Sequence, residues 1–256
     1  MIKQPHELAL MAESGRLLAS VFEMLGTLPM EGMSTLAIND RVEAFIVDGL
    51  GARAASKGQY GFPYALNASI DNVVCHGVPS ADDVLRSGQI VNLDITLEKG
   101  GYIADSSTTY LVGEVGYAAR RLVEATYQAM WKGIAAVRPG ARLGDVGFAI
   151  QKHARAMGYT VVKEFCGHGI GREMHEDPQV LHYGHRGTGV VLEEGMTFTI
   201  EPMLNQGSAA ILHSDDAWPV HTRDGKLSAQ FEHTVAVTRH GVQVLTLRPG
   251  ERPPPR

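Results

Sequence analysis

Two aspartates within one β-rich stretch constrain this chain more than any other feature. The segment is IVNLDITLEKGGYIADSSTTYLV, in which two strand-like runs flank residues 98–101. Such a pattern predicts a hairpin with a tight turn. A turn at Lys99 and Gly100 would pair Asp94 directly with Asp105. Because like charges that face each other across a sheet are destabilising, and burial raises the cost, this pair requires a shared proton or a nearby cation. A divalent metal ion is the simplest solution.

The same alternation also fits a hairpin that binds no metal. In that arrangement Asp94 and Asp105 lie on a solvated face of the sheet, and Leu93, Ile95 and Leu97 point into the core. Strand periodicity is satisfied equally well by both arrangements. The hairpin considered alone therefore leaves both open.

Three further candidate ligands stand in other strand-like or glycine-rich segments. Glu201 ends the alternating run MTFTIEPML, where Pro202 predicts a strand end or bulge. Glu232 lies among uncharged residues in LSAQFEHTVAVT, and His168 lies in the loop CGHGIGREMHEDP. Four carboxylates and one imidazole form an oxygen-rich set that suits a two-metal site of manganese, iron, cobalt or zinc.

Composition narrows the class of protein. The chain has 256 residues and a formal net charge of −5, so it carries no general basic field for nucleic acid. No apolar run reaches the roughly 20 residues that span a bilayer, and the N-terminal segment reads as an amphipathic helix. Cys75 and Cys166 are far apart and form no zinc motif. We therefore expect a reduced, cytoplasmic protein in which both thiols are small buried hydrophobes.

The order of elements predicts one α+β domain over residues 1–250, with a frayed tail at 251–256. The apolar pattern predicts helices at 7–28, 35–50, 117–137 and 143–157 and late strands near 196–203, 209–214 and 229–238. Gly51 and Gly158 end the second and fourth helices at matching positions. This spacing indicates two similar helix–helix–strand halves, offset by roughly 107–108 residues, around a central sheet.

Five motifs together make the chain resemble one family. In this order they are VVCHGVP, NLDITLEKGGYIADSS, FCGHGIGREMHEDP, FTIEPM and LSAQFEHT. They closely resemble the short bacterial type (type I) of the methionine aminopeptidase family, from about residue 3 to residue 247. The resemblance implies the pita-bread (creatinase/aminopeptidase-like) fold, with pseudo-twofold halves around a central antiparallel sheet. It also implies two divalent metal ions (Co, Mn, Fe or Zn), held by Asp94, Asp105, His168, Glu201 and Glu232, of which Asp105 and Glu232 bridge.

The resemblance further implies removal of the initiator methionine when the second residue is small. Glu201 is then the proton carrier, His175 a donor to the developing oxyanion, and His76 a contact near the leaving nitrogen. The methionine pocket falls on Phe62, Met174 and Trp218, with Gln59 and Asn67 at its margin. Phe62 stands where a tyrosine is frequent, and Asn67 and Met174 replace a cysteine and an aromatic residue.

The resemblance also suggests partners. We expect contact with the N-termini of nascent peptides and take the ribosome as a candidate partner. We expect a monomer that binds neither nucleic acid nor a membrane directly.

Two rival functions fit parts of the pattern. A proline-specific aminopeptidase or dipeptidase would share the fold, but such enzymes usually carry an additional N-terminal domain for which this sequence has no counterpart. A non-catalytic binding module would have kept the fold and lost its metals. Such proteins typically lose ligands, whereas all five candidate ligands are present here. A metal count and an assay on methionyl against prolyl peptides separate the three.

Overall fold

The computed structural model describes residues 2–214 and 218–252. Its α-helices are α1 (Pro5–Gly26), α2 (Thr35–Ala44), α3 (Tyr117–Ala135) and α4 (Leu143–Met157). The helix predicted for 35–50 is thus α-helical only to Ala44 and continues as a π-helical turn, Phe45–Gly49. Gly158 ends α4 in the left-handed conformation, as the sequence predicts. No described helix is long and apolar enough to cross a membrane.

The strands form one large sheet and two small ones within the described residues. They are β1 (Arg53–Ala54), β2 (Leu66–Ile70), β3 (Val73–Cys75), β4 (Ile90–Lys99), β5 (Tyr102–Leu111), β6 (Thr160–Val161), β7 (Gly167–Gly169), β8 (Glu176–Val180), β9 (Thr197–Ile200), β10 (Met203–Asn205), β11 (Ile211–His213), β12 (Val220–Thr222), β13 (Ser228–Gln230), β14 (Glu232–Thr238) and β15 (Gly241–Val244). The central sheet runs β1-β4-β5-β14-β9-β7-β8, with β2 beside β4 and β15 beside β14. Its pairs are antiparallel, as predicted.

The hairpin of β4 and β5 forms, but its register differs from the predicted one. Gly100 and Gly101 make the turn, and Lys99 pairs with Tyr102. Both glycines have positive φ, which a two-residue hairpin turn of this hand requires. Asp105 consequently faces Thr96, so the predicted direct pairing with Asp94 is wrong. Because the shift preserves the alternation of faces, Asp94 remains a diagonal neighbour of Asp105 on the same face.

Two of the predicted strands are interrupted. The run 196–203 breaks at Glu201 and Pro202 between β9 and β10, which confirms the predicted strand end. The run 229–238 was expected as one strand, and this is wrong. It breaks at Phe231, and β13 pairs with β10 in a small sheet while β14 enters the central one. Each break leaves a carboxylate at the boundary between two sheets.

Helices cover the sheet in two matching groups, which agrees with the duplicated halves. One hydrophobic core lies between α1, α2 and the β4–β5 hairpin, and the other lies between α3, α4 and the strands β9 and β14. Glu251, which fell in the predicted frayed tail, is instead bonded to Arg248 and His233. Residues 253–256 of that tail lie outside the described residues.

Candidate metal centre

One cavity of about 570 Å³ is lined by every residue that the sequence analysis predicted for the site. Its walls include Gln59, Phe62, Asn67, His76, Asp94, Asp105, His168, Met174, His175, Glu201, Trp218 and Glu232. Among the described residues that line it, none is a lysine or an arginine. The cavity therefore collects negative charge without a cationic side chain in its walls.

Neighbouring strands place the ligand-type atoms close together. Asp105 lies on β5, Glu232 starts β14, and His168 lies on β7. One ligand-type atom from each of these three residues lies within 4.8 Å of the other two. The arrangement follows from the sheet order, in which β5, β14, β9 and β7 are consecutive neighbours. These three side chains form the compact centre of the site.

The carboxyl groups around this centre are poorly suited to ionise without a counter-charge. Burial raises the pKa of Asp105 to about 7 and that of Glu201 to about 8. Burial also raises the pKa of Asp94 and of Glu232 well above the usual range, and the neighbouring carboxylates add to both shifts. Asn92 and Thr96 are buried beside them, so the alternative of a solvated hairpin face is wrong. The residues fit a divalent metal ion, because a bound cation would supply the missing positive charge.

His168 is prepared to act as a ligand. Its Nδ1 lies 3.0 Å from the carbonyl oxygen of Gly169, which can only accept, so Nδ1 carries the proton. The lone pair of Nε2 is therefore free, 3.5 Å from Glu201 Oε1. Burial lowers the pKa of His168 to about 4, which keeps the ring neutral. A backbone acceptor that fixes the tautomer is a common support of metal-binding histidines.

Three partners hold Glu201 in the cavity wall. Thr199 Oγ1 donates to Glu201 Oε1 at 2.7 Å, and Gln230 Nε2 lies 3.4 Å from Oε2. The backbone N–H of Glu201 donates to Nε2 of buried His182 at 3.1 Å. The sequence does not predict this contact, because nothing in the local pattern of His182 points to Glu201. Glu201 is thus fixed at the strand break before Pro202.

His76 occupies a strained corner at the end of β3. Its φ is 58°, and its ring packs edge-on against Phe165 with centroids 5.3 Å apart. The following Gly77 is required, because a Cβ there would come within 2.0 Å of the carbonyl oxygen of Ala68. Burial lowers the pKa of His76. The corner therefore presents a neutral imidazole to the cavity.

His175 stands at the exposed rim of the cavity. Its ring centroid lies 4.4 Å from that of His168, and the two rings meet edge-on. Its Nδ1 lies 3.1 Å from the hydroxyl of Tyr60, a residue that sequence reasoning did not select. Partial burial lowers the pKa of His175. The two histidines named from the sequence therefore both line the cavity as neutral rings.

An apolar recess adjoins the acidic centre. Phe62 and Trp218 meet edge-on with ring centroids 5.1 Å apart, and Met174 is 8% exposed. Asn67 pairs with Asp94 across β2 and β4, which places it between the recess and the acidic residues. Gln59 begins the short helical turn that leads to Phe62. The five predicted pocket residues therefore all line the cavity.

The fold is a curled antiparallel sheet covered by two duplicated pairs of helices. Its cavity holds buried carboxyl groups that require a cation. This is the architecture of the pita-bread metallopeptidases. Comparison with known proteins bears this out, since the model of metallopeptidase family M24 matches residues 9–239. Methionine aminopeptidase B of Synechocystis sp. is 48% identical over 246 residues, covering 94% of this chain and 89% of that protein. The chain belongs to metallopeptidase family M24 and, within it, to the methionine aminopeptidases of the short bacterial type.

Solved structures agree with this assignment. A methionine aminopeptidase from Rickettsia prowazekii superposes with a TM-score of 0.94 at 44% identity, covering 96% of this chain and 99% of that one. A dipeptidase from Pyrococcus horikoshii is more distant, with a TM-score of 0.77 at 25% identity, and this chain covers 63% of its length. This dipeptidase therefore shares the fold, but the similarity is greater to the methionine aminopeptidases.

Proposed function

We propose that this chain removes the N-terminal methionine from new polypeptides when the second residue is small, by hydrolysis that two divalent metal ions assist. The observation that carries the proposal is the buried acidic centre, which adjoins an apolar recess and has no lysine or arginine among the described residues of the cavity wall. Relatives of high identity are named methionine aminopeptidases, which supports the same reaction.

Five side chains would hold the two ions, namely Asp94, Asp105, His168, Glu201 and Glu232. Asp105 and Glu232 would help to hold both ions, as the resemblance to the family implies, and both are buried at the compact centre. When bound, such ions polarise a carbonyl group and lower the pKa of water. Carboxylates with one imidazole suit manganese, iron, cobalt or zinc, and the ligand set does not select among them.

The remaining steps fall to the side chains. Glu201 can take a proton from the attacking water and return it to the leaving amine, because its carboxyl group lies in the cavity wall and a carboxylate can act first as a base and then as an acid. His175 can donate a hydrogen bond to the oxyanion that develops on the peptide carbonyl. His76, fixed at its strained corner, can hold the peptide on the leaving side.

The recess supplies the specificity for methionine. A long, flexible thioether packs well against aromatic and sulfur-containing walls, and Phe62, Met174 and Trp218 provide both. Gln59 and Asn67 limit its margin. His76 and His175 crowd the leaving side, so the second residue of the peptide has to be small.

The proposed setting is the cytoplasm, where polypeptides begin. Two free cysteines support a reducing compartment, and the negative formal charge argues against direct binding of nucleic acid. We propose a monomer whose partners are nascent N-termini, with the ribosome as a candidate and without a membrane role.

The test is an activity assay on metal-stripped protein to which single metals are returned. We expect no hydrolysis after chelation, recovery with manganese or cobalt, and release of methionine from Met-Ala-Ser. Ala-Pro, Met-Lys and Met-Trp peptides should react poorly. Preference for the prolyl peptide would favour the dipeptidase alternative, and metal-independent binding without hydrolysis would favour a non-catalytic module.

A pocket variant tests the specificity separately. Trp218→Ala should weaken the discrimination between methionine and leucine or norleucine by about 1–3 kcal/mol, the usual value of one pocket contact. Tyr64→Phe is the matched control, because Tyr64 contacts Phe62 but is not among the described residues that line the cavity. Unchanged selectivity in Trp218→Ala would contradict the pocket assignment.

A further inference from the structure

Tyr60 combines an exposed side chain with a left-handed backbone conformation, which is unusual both for a core residue and for an ordinary surface residue. Its side chain is 74% exposed, yet its φ is 48°. A non-glycine residue in the left-handed region is uncommon, and such strain concentrates at functional sites. Gly58 and Gly61 on either side also have positive φ. The backbone is therefore shaped to present this one aromatic side chain at the rim of the cavity.

The loop that carries Tyr60 is closed and anchored. The N–H of Gly58 donates to the carbonyl oxygen of Phe62 at 2.7 Å, which closes the loop on itself. At its base, the N–H of Ala55 donates to the carbonyl oxygen of Thr96 at 2.8 Å. The hydroxyl of Thr96 in turn donates to Asp105 at 2.9 Å. The base of the loop is thus held to Thr96, whose side chain contacts the acidic centre.

Tyr60 is directed at His175. The two rings stack with centroids 5.7 Å apart and an interplanar angle of 16°, and the hydroxyl oxygen lies 3.1 Å from Nδ1. A neutral imidazole carries its proton on one nitrogen only. A peptide carbonyl oxygen can only accept a hydrogen bond. If His175 donates to this oxygen through Nε2–H, Nδ1 is left to accept the hydrogen bond of the Tyr60 hydroxyl, which lies at the right distance to donate it.

We propose that Tyr60 is a positioning residue that donates its hydroxyl proton to Nδ1 of His175 and so keeps Nε2–H available for the substrate. The proposal rests on the oxyanion role proposed for His175. A tyrosine hydroxyl suits this task, because it donates without adding a charge beside the acidic centre. Stacking fixes the plane of the imidazole, and the hydrogen bond fixes its tautomer.

Tyr60→Phe tests the hydrogen bond, and Tyr60→Ala also removes the stacking. In the manganese-loaded enzyme, Tyr60→Phe should lower kcat on Met-Ala-Ser by about three- to tenfold, the rate effect of one hydrogen bond at this exposure. KM and metal content should stay near wild type. His175→Ala sets the upper limit, at about a 10²–10³-fold loss. Tyr64→Phe should retain full activity.

A spectroscopic measurement addresses the tautomer independently of turnover. In the zinc-loaded enzyme labelled with ¹⁵N-histidine, Nδ1 of His175 should show the shift of an unprotonated nitrogen. In Tyr60→Phe, the protonated Nδ1 form should gain population. Either result alone would overturn the proposal: a protonated Nδ1 in the wild type, or an unchanged tautomer in Tyr60→Phe.

The kinetic outcomes separate this proposal from the proposed function. Wild-type kcat in Tyr60→Phe together with a raised KM in Tyr60→Ala would make Tyr60 a simple cover of the cavity and would also overturn the proposal, while the enzyme remained a methionine aminopeptidase. Failure of the wild type to cleave any methionyl peptide would instead refute the proposed function, and the tautomer measurement would still decide the role of Tyr60.

Discussion

The strand β14 separates two buried charged clusters that behave in opposite ways. On one face, Glu232 joins the acidic cluster of Asp94, Asp105 and Glu201. On the other face, His233, Arg248 and Glu251 form a second group, which we call the paired cluster. In it, His233 Nε2 and the Arg248 guanidinium each lie 3.1 Å from the carboxylate of Glu251. Both clusters contain carboxylates removed from water.

The pKa values differ because only one cluster contains its own counter-charge. Burial opposes ionisation of Glu251, but the hydrogen bond from His233 and the charge of Arg248 outweigh it and lower the pKa to about 2. In the acidic cluster burial and the neighbouring carboxylates outweigh the smaller effect of Arg248, and the pKa of Glu232 rises well above its usual range. The comparison indicates that the acidic cluster requires a bound cation to balance its charge. On the opposite face, side chains of the protein itself balance the charge of Glu251.

Arg248 also links the two clusters mechanically. Its guanidinium donates to the carbonyl oxygens of Ser107 and Glu232, at 2.6 and 3.0 Å, and to Ser106 Oγ at 2.7 Å. These bonds join β5 to the start of β14, and Asp105 and Glu232 lie on those two strands. The paired cluster thus supports the backbone of the two strands that carry Asp105 and Glu232 of the acidic cluster.

The largest expected effect comes from removing the counter-charge of the paired cluster. Arg248→Met should lower the free energy of unfolding by about 3–5 kcal/mol, because Glu251 and the backbone carbonyls lose a buried partner. Arg16→Met is the control, since Arg16 pairs with Glu13 on the surface and its loss should leave the stability almost unchanged. Equal, small losses in urea denaturation would refute the contrast.

The next effect concerns metal binding. We expect Asp105→Asn to lower metal occupancy and turnover by at least about a hundredfold. The reason is that loss of a ligand should cost more than loss of a residue that only supports a ligand. Glu251→Gln should retain both metals. Elemental analysis and kcat on Met-Ala-Ser measure this, with Asp82→Asn as an exposed control. An Asp105→Asn protein with full activity would remove the basis of the two-metal assignment.

Isosteric amide variants should change the stability of the metal-free protein in opposite directions. Glu232→Gln should raise the free energy of unfolding, since it removes a carboxyl group that resists ionisation. Glu251→Gln should lower it by about 1–3 kcal/mol, since it breaks charged hydrogen bonds. Chemical denaturation at pH 8 in the presence of chelator gives both values. Changes of the same sign would show that the two clusters are not electrostatically distinct.

The smallest effect is a pH dependence of stability in the metal-free protein. The pKa values of Asp105 and Glu201, about 7 and 8, exceed their unfolded values near 3.8 and 4.5. Their contribution is therefore complete below about pH 4 and is lost as the pH rises through 7 and 8. Glu251 has the opposite sign, and its contribution is lost as the pH falls below about 4.5 towards 2. Histidines with a lowered pKa, such as His168, act in the opposite direction only below about pH 6.5. The Tm should therefore fall between about pH 7 and 8 without metal. A rising Tm over this range would contradict the shifts.

Much of the candidate metal centre could be predicted from the sequence, because the proposed ligands lie in patterned strands. The break at Pro202 was predictable, since proline cannot donate to a sheet. The exact pairing of Asp105 was not, because residues 98–101 allow more than one turn. Two consecutive glycines with positive φ selected the observed one. The break at Phe231 was also missed, because alternation continues through a residue that passes from one sheet to another.

The sequence by itself determined the element types, the duplicated order of helices and strands, and the identity of the five candidate ligands. These follow from local periodicity, from turn residues and from motif spacing. Only the tertiary structure placed Tyr60 on His175, across 115 residues, and Arg248 on Ser107, across 141 residues. Such contacts depend on which strands become neighbours and on which side chains then meet. Local pattern carries no information about pairs so far apart in the chain.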